Sequence, residues 1–184
     1  VPSMSLTFVS HLECSLTGKR YDAGRIQGLS EAGRPLLVRY ELAKLASTLK
    51  KSDFISKNID GFWRYASLLP VSKVQHRISL GEVVTPLIEI NQFSSKVGGL
   101  SGNILVKDEG RLPTGSFKAR GLALAVSMAK TFGINHLAIP TNGNAGSAMA
   151  AYATKAGIQS SVLCPQDTPE INIKEIQLQG ARTY

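Results

Sequence analysis

A lysine stands where a predicted strand turns into a predicted helix. Residues 107–121 read KDEGRLPTGSFKARG, so that a Pro-Thr-Gly turn leads to Lys118 within the first turn or so of the helix. Helix starts favour anions, because their unpaired N–H groups and the helix dipole make them electropositive. A cation is locally disfavoured there, which favours a neutral amine that can attack a carbonyl and form an imine. Lysines near helix starts are also common as solvated surface residues, so this pattern by itself leaves both interpretations open.

A second segment, 140–147, has the sequence PTNGNAGS and again joins a strand to a helix. Gly143 and Gly146 allow the backbone to turn tightly and to approach a ligand closely. The amides of the following helix start can hold an anion such as a carboxylate. Asn144 offers both a donor and an acceptor to a ring substituent. Taken alone, the same turn is equally typical of an ordinary strand-to-helix loop with a capping asparagine.

Regular elements predict how these two segments are positioned. Predicted strands cover 103–107, 136–140 and 160–164, predicted helices cover 116–130, 144–155 and 169–179, and 181–184 begins another strand. This alternation predicts an α/β fold with βαβ units around a mostly parallel sheet. Both segments follow the carboxyl ends of strands, where open α/β sheets bind ligands, so we expect them to face each other across a crevice. A sheet that stops at residue 184 would leave an open edge, which predicts that this chain is part of a longer protein.

The first 80 residues have a different character from the regular region at 81–184. They are predicted to be irregular and partly helical, with a strand-like segment at 35–41 and a helix at 41–51. A further short helix begins at Phe62, and Pro70 prevents it from continuing. We therefore expect an N-terminal extension at 1–80 followed by the α/β core.

Composition excludes several classes of protein. The net charge is +8, with 21 Lys and Arg against 13 Asp and Glu, but the basic residues are scattered. This distribution favours a solvated surface suited to small anionic substrates over a nucleic-acid site. The sequence contains no apolar run long enough to cross a bilayer. Cys14 and Cys164 are far apart and the three histidines lack metal-ligand spacing, which predicts a reducing compartment, such as the cytoplasm, and no metal site.

The two segments together resemble the paired signature of fold-type II pyridoxal-phosphate enzymes, with 113–118 (PTGSFK) followed by 141–146 (TNGNAG). Stretches at 33–42, 61–70 and 79–87 further resemble threonine synthases that carry an N-terminal extension. The resemblance spans roughly residues 10 to 184. Relatives often have paired cysteines in a zinc-ribbon-like turn near the start, whereas this chain keeps Cys14 but has Thr17 where a second cysteine would fall.

The resemblance implies a role for each candidate residue. Lys118 would be the Schiff-base and catalytic residue for pyridoxal 5'-phosphate, Phe117 would lie against this cofactor, and Asn144 would contact its ring. Substrate carboxylate contacts are implied for Thr141, Asn142 and Gly143. The implied architecture has three layers, αβα, of which this chain would contain only the first part.

The implied reaction converts O-phospho-L-homoserine and water to L-threonine and phosphate. Alternatives are a threonine dehydratase, a cysteate synthase or another amino-acid lyase, and, from a different class, a truncated non-catalytic relative that acts as a binding module. In this family the loop for the cofactor phosphate and the partner of the pyridine nitrogen come later in the chain. We therefore expect the present residues alone to be inactive. A homodimer and a cytoplasmic location are also expected, with a plastid as the alternative for a protein whose true N-terminus lies before residue 1.

Overall fold

The computed structural model describes residues 7–55, 61–90 and 103–184, and the statements below refer to these ranges. The strands are β1 (Val9–Cys14), β2 (Arg20–Tyr21), β3 (Leu36–Tyr40), β4 (Leu87–Glu89), β5 (Leu105–Lys107), β6 (His136–Pro140), β7 (Gln159–Leu163) and β8 (Arg182–Thr183). The α-helices are α1 (Leu42–Thr48), α2 (Lys118–Thr131), α3 (Asn144–Ala156) and α4 (Glu170–Leu178). Single 3-10 turns or short 3-10 helices span Lys51–Ile55, Phe62–Leu68, Val74–His76, Glu109–Arg111 and Pro113–Gly115.

A parallel sheet of order β6-β7-β8 supports the second candidate segment. Its register pairs His136 with Gln159 and Pro140 with Leu163, and Val162 then pairs with Thr183 on the other side. The predicted strands at 136–140 and 160–164 are thus confirmed to within one residue, and the strand beginning near 181 is confirmed as β8. The expected α/β class with a parallel sheet is confirmed as well.

The prediction that 103–107 forms a buried strand is wrong. The strand found there, β5, is shorter and exposed. It pairs antiparallel with β4, with Leu87 opposite Lys107 and Glu89 opposite Leu105, in a separate two-stranded sheet. All three of its residues are exposed. An apolar run such as ILV predicts burial on both faces, but within the described chain neither face of this ribbon is covered.

The core lies between α2, α3 and the parallel sheet. Small side chains let the two helices approach closely, and the buried residues of this first cluster include Ala119, Ala123, Val126, Tyr152 and Ala153. A second cluster joins α3 to β7 and α4 through residues such as Met149, Val162 and Ile176. Helix α3 ends as predicted at Gly157, whose φ of 71° is the left-handed conformation that favours glycine after a helix. No helix in the described ranges is both long enough and apolar enough to cross a membrane.

The N-terminal region contains more strand than the sequence predicted. Strands β2, β1 and β3 form an antiparallel sheet, of which only β3 was expected. The helix predicted at 41–51 is shorter, and α1 buries none of its residues. The 3-10 helix Phe62–Leu68 connects this region to the core, because the Trp63 indole N–H donates to the Ile78 carbonyl at 3.0 Å and its neighbours pack on α2.

The predicted zinc-ribbon-like turn is held by hydrogen bonds at its one retained cysteine. The thiol of Cys14 is buried and donates to Ser30 Oγ at 3.1 Å, and the backbone N–H of Thr17 donates to Cys14 Sγ at 3.4 Å. No group of three or more His, Cys, Asp or Glu side chains among the described residues is arranged to hold a metal ion.

Candidate active site

The turn before Lys118 is built from consecutive left-handed residues. Thr114 has φ 62° and Gly115 has φ 65°, and the Gly115 N–H donates to the Leu112 carbonyl at 2.9 Å. A left-handed conformation is costly for a β-branched residue such as threonine, and strain of this kind tends to occur at functional sites. Ser116 is then extended, with φ −153° and ψ 161°, so α2 begins two residues later than predicted. Lys118 is consequently the first residue of the helix.

The amine of Lys118 lies beside an exposed aromatic ring. Its Nζ is 4.8 Å from the centroid of the Phe117 ring, and Phe117 is 60% exposed while Lys118 is partly buried. Within the described ranges, the Lys118 amine has no hydrogen bond or ion pair. Lys118 therefore supplies a reactive amine, and Phe117 supplies a flat apolar surface beside it.

An ion-pair network joins residues on either side of the 113–115 turn. Glu109 accepts hydrogen bonds from Arg120 Nε at 2.6 Å and Nη2 at 2.9 Å, and from the Thr85 hydroxyl at 2.6 Å. Lys107 Nζ lies 3.8 Å from the same carboxylate. The hydrogen bonds from Arg120 hold the pKa of Glu109 at about 2, against the effect of partial burial, with smaller contributions from Thr85 and Lys107. Glu109 and Arg120 flank the lysine turn in the sequence, but neither was predicted to belong to the site.

The second loop places its polar groups around the start of α3. The Thr141 N–H donates to the Leu163 carbonyl at 3.0 Å, and the Gly143 N–H donates to Thr141 Oγ1 at 3.2 Å. Asn172 of α4 donates to the Asn142 carbonyl at 3.0 Å and so ties the loop to the next helix. The side-chain amides of Asn142 and Asn144 are exposed and have no hydrogen-bond partner in the part of the chain that the structure describes. They are thus available to a ligand.

Gly146 shows why a glycine is needed in this loop. A Cβ at this position would lie 2.6 Å from Thr141 Cγ2, 3.0 Å from Val162 Cγ1 and 3.1 Å from Ile176 Cδ1. These distances are shorter than carbon atoms normally approach. The loop, β7 and α4 therefore meet at a backbone that carries no side chain.

Packing brings the two candidate segments to neighbouring elements. Helix α2, which begins with Lys118, packs along α3, which begins with Asn144, and the 113–115 turn also contacts α3. Within the described ranges, no hydrogen bond or ion pair joins Lys118 or Phe117 to residues 141–144. The expectation that both segments face one ligand stays a prediction.

Buried hydroxyl groups without partners occur in both segments. Thr114 Oγ1, Ser116 Oγ and Ser147 Oγ are inaccessible to solvent and have no hydrogen-bond partner within the described ranges. Such a group ordinarily costs about 1–3 kcal/mol, so native proteins satisfy nearly all of them. Their occurrence in both loops fits a site that is completed by a ligand or by further protein groups. The only sign of these groups in the sequence is the presence of hydroxyl residues in PTGS (113–116) and at Ser147.

Comparison with known proteins gives the family. Residues 78–184 match the family described as "Pyridoxal-phosphate dependent enzyme". The threonine synthase of Methanocaldococcus jannaschii is 33% identical over 153 residues, which are 83% of this chain and 37% of that protein. The threonine synthase of Methanosarcina acetivorans is 34% identical over 156 residues, 84% of this chain and 37% of that protein. A solved pyridoxal 5'-phosphate-dependent aspartate racemase superposes with a TM-score of 0.52 at 28% identity, covering 55% of this chain and 32% of that one.

The chain belongs to the family of pyridoxal-phosphate-dependent enzymes, and its cofactor is pyridoxal 5'-phosphate. It is similar to threonine synthases over most of its length, and it spans a little over a third of the length of those relatives. The residues present fit the cofactor, because a lysine amine, a flat exposed ring, free side-chain amides and unpartnered buried hydroxyls occur in the two loops. These are the kinds of group that can hold an aldehyde, an aromatic ring and its polar substituents.

Proposed function

We propose that the protein containing this chain converts O-phospho-L-homoserine and water to L-threonine and phosphate. The observation that carries this proposal is the similarity to threonine synthases, which covers more than four fifths of the chain and includes both loops of the candidate site. The net charge of +8 is consistent with a doubly charged phosphoester as the substrate.

In this proposal Lys118 holds the cofactor and moves protons between substrate carbon atoms as a general base and acid. The cofactor, when bound, supplies an electron sink for the bonds that break next to the substrate amine. The position of Lys118 at the first residue of α2, after a turn whose conformation is fixed at Thr114 and Gly115, would limit the directions its amine can reach. Phe117 offers its exposed ring as a surface for the cofactor.

The second loop would bind and orient the substrate. In this proposal Thr141, Asn142 and Gly143, which come just before the N-terminal amides of α3, bind the substrate carboxylate, and Asn144 contacts the cofactor ring. The tie from Asn172 to the Asn142 carbonyl would hold this loop in place during binding. Substrate orientation of this kind contributes to the rate because it converts a bimolecular encounter into a fixed geometry.

The rest of the assignment follows from the same resemblance. We propose that residues 1–80 form an N-terminal extension, that 81–184 form the first part of the cofactor-binding core, and that the whole protein is a homodimer. Both cysteines are free thiols, which supports a reducing compartment such as the cytoplasm or a plastid.

Incubation of the full-length, cofactor-loaded protein with candidate substrates tests the proposal. Release of inorganic phosphate together with threonine from O-phospho-L-homoserine is the expected result. Formation of 2-oxobutyrate from threonine, with no phosphate release, would instead identify a dehydratase. A protein that binds the cofactor but turns over neither substrate would contradict the proposed reaction.

A further inference from the structure

A cavity of about 180 Å³ adjoins the two ends of the first candidate segment, because Lys107 and Arg120 are among its lining residues. Its lining combines three cationic side chains with apolar and aromatic surface: Gly61, Arg64, Tyr65, Val83, Val84, Lys107 and Arg120. Neither Lys118 nor any residue of 141–144 lines it. The reaction proposed above gives this cavity no role.

The charged side chains that line the cavity are all cationic. No carboxylate is among the lining residues. The nearest acidic partner is Glu109, which neutralises Arg120 and lies 3.8 Å from Lys107. Glu82 is buried behind the cavity, where it accepts hydrogen bonds from Ser79 Oγ and the Leu80 N–H. Arg64 has no carboxylate partner within the described ranges, so the lining presents an uncompensated positive charge to whatever enters.

The donors of Arg64 and Arg120 are only partly used. Arg64 Nε is inaccessible to solvent and has no hydrogen-bond partner within the described ranges, although its Nη2 donates to the Tyr65 hydroxyl at 2.8 Å. Arg120 uses Nε and Nη2 for Glu109 and Thr85, and its Nη1 makes no hydrogen bond to a described residue. Guanidinium donors of this kind match the oxygens of phosphate, with which they form short, charge-assisted hydrogen bonds.

The apolar and aromatic part of the lining indicates that an organic group could bind beside the anion. Val83 and Val84 are 45% and 51% exposed, and the Tyr65 ring is stacked on Phe54 at 5.7 Å. Apolar side chains next to cationic ones suit a small organic molecule that carries an oxyanion. The backbone beneath is tightly packed, since a Cβ on Gly61 would lie 1.6 Å from the Glu82 carbonyl oxygen. A side chain larger than glycine at residue 61 would therefore force this wall of the cavity to shift.

We propose that this cavity binds the phosphate group of a small molecule, through Arg64, Lys107 and Arg120. The phosphate can be free inorganic phosphate or the phosphate of an organic monoester, and the shared chemistry is a doubly charged oxyanion. This inference does not rest on the proposed reaction, because it uses none of the residues given a role in that reaction, and an inactive protein could still bind the anion.

Isothermal titration of the full-length, cofactor-loaded protein tests the inference, since loading fills the phosphate site of the cofactor itself. Inorganic phosphate and phenyl phosphate are titrated separately, and tighter binding of the ester would identify an organic phosphate as the natural ligand. In Arg64→Gln and in Lys107→Gln we expect the affinity for the tighter probe to fall about tenfold, from the loss of one charge-assisted contact. Arg25→Gln, at an exposed arginine elsewhere on the surface, is the matched control and should bind as the parent does.

The outcomes separate the cavity from the catalytic site. Absence of binding by either probe, or binding unchanged in both cavity variants, would overturn the inference. Binding lost in Lys118→Ala but retained in Arg64→Gln would place the anion at the catalytic lysine and would also overturn it. Because Lys107 is about half exposed, its variant keeps the test valid even where Arg64→Gln lowers stability.

Discussion

Arg120 donates two hydrogen bonds to the carboxylate of Glu109, from Nε to Oε2 at 2.6 Å and from Nη2 to Oε1 at 2.9 Å. The two residues lie on either side of the turn that leads to Lys118. Glu109 precedes the left-handed residues of that turn, and Arg120 follows the lysine on the first turn of α2. The pair thus fixes both ends of the segment that positions the amine. A bidentate guanidinium–carboxylate pair gives directional restraint that a single charge contact does not give.

Replacement of this carboxylate should weaken the fold measurably. We expect Glu109→Gln to lower the free energy of unfolding by about 1 kcal/mol, a value kept modest because the pair is partly solvated. Urea denaturation at neutral pH gives the measurement. Glu31→Gln is the matched control, since Glu31 contacts Lys19 at 2.7 Å but has a 71% exposed side chain. Equal losses in the two variants would show that the network around Glu109 contributes no more than a surface ion pair.

The same carboxylate predicts a pH dependence with a definite sign. Folding lowers the pKa of Glu109 from its ordinary 4.5 to about 2, chiefly through the hydrogen bonds from Arg120. The ionised form is therefore favoured in the folded state, and its stabilisation is fully present above pH 4.5 and is lost as the pH falls towards 2. The stability difference between the parent protein and Glu109→Gln should shrink across this interval. A difference that stays constant down to pH 2 would contradict the assignment.

Tyr152 and Glu82 form a buried pair that should be sensitive to loss of one hydroxyl. Tyr152 is fully buried, Glu82 is 4% exposed, and the phenol donates to the carboxylate, while burial and this contact raise the pKa of Tyr152. Tyr152→Phe leaves the buried carboxylate with one donor fewer, so we expect a loss of about 1–3 kcal/mol in unfolding free energy. Tyr40→Phe, on the exposed strand β3, should change the urea midpoint little. Similar midpoints for both variants would show that the pair is not stabilising.

Two glycines in helices offer a direct comparison of packing. Gly146→Ala introduces a Cβ at 2.6 Å from Thr141 Cγ2, and we expect it to cost about 1–3 kcal/mol through overpacking. Gly121→Ala, on the exposed side of α2 with no atom within 4 Å of the new Cβ, should instead stabilise by about 0.5–1 kcal/mol. Thermal unfolding of both variants measures the difference. Stabilisation by both alanines would mean that the second loop is less tightly packed than the distances around Gly146 indicate.

Lys118 should be the lysine that becomes covalently attached to the cofactor. Borohydride reduction of the loaded, full-length protein, followed by peptide mass spectrometry, is expected to find the cofactor on the peptide that contains Lys118. Lys118→Ala should show no such label and no visible absorption band, since only an amine can form the bond. Lys130→Ala, near the end of the same helix, is the control and should be labelled like the parent. Label on any other lysine of the parent protein would contradict the assignment.

Sequence patterns predicted the elements that depend on local signals. Strands β6 and β7, helices α2, α3 and α4, and the place of Lys118 at a helix start all follow from periodicity, glycine turns and proline positions. The partner of β5 could not be predicted, because the choice between a parallel sheet and an antiparallel ribbon with β4 depends on residues distant in sequence. The Glu109–Arg120 pair and the Glu82–Tyr152 pair were missed for the same reason. Single charged or phenolic residues carry no local sign of the partner that folding brings to them.

Because Gly146 has no side chain, three parts of the protein pack against its backbone at the same point. Thr141 of the second loop, Val162 of β7 and Ile176 of α4 all lie close to the same point, so the volume of each side chain limits that of the others. A smaller residue at Ile176, 30 positions further along the chain, would relieve one of the three close contacts that Gly146→Ala creates and should partly suppress its effect. The geometry of the 140–147 loop therefore depends in part on how helix α4 packs against it.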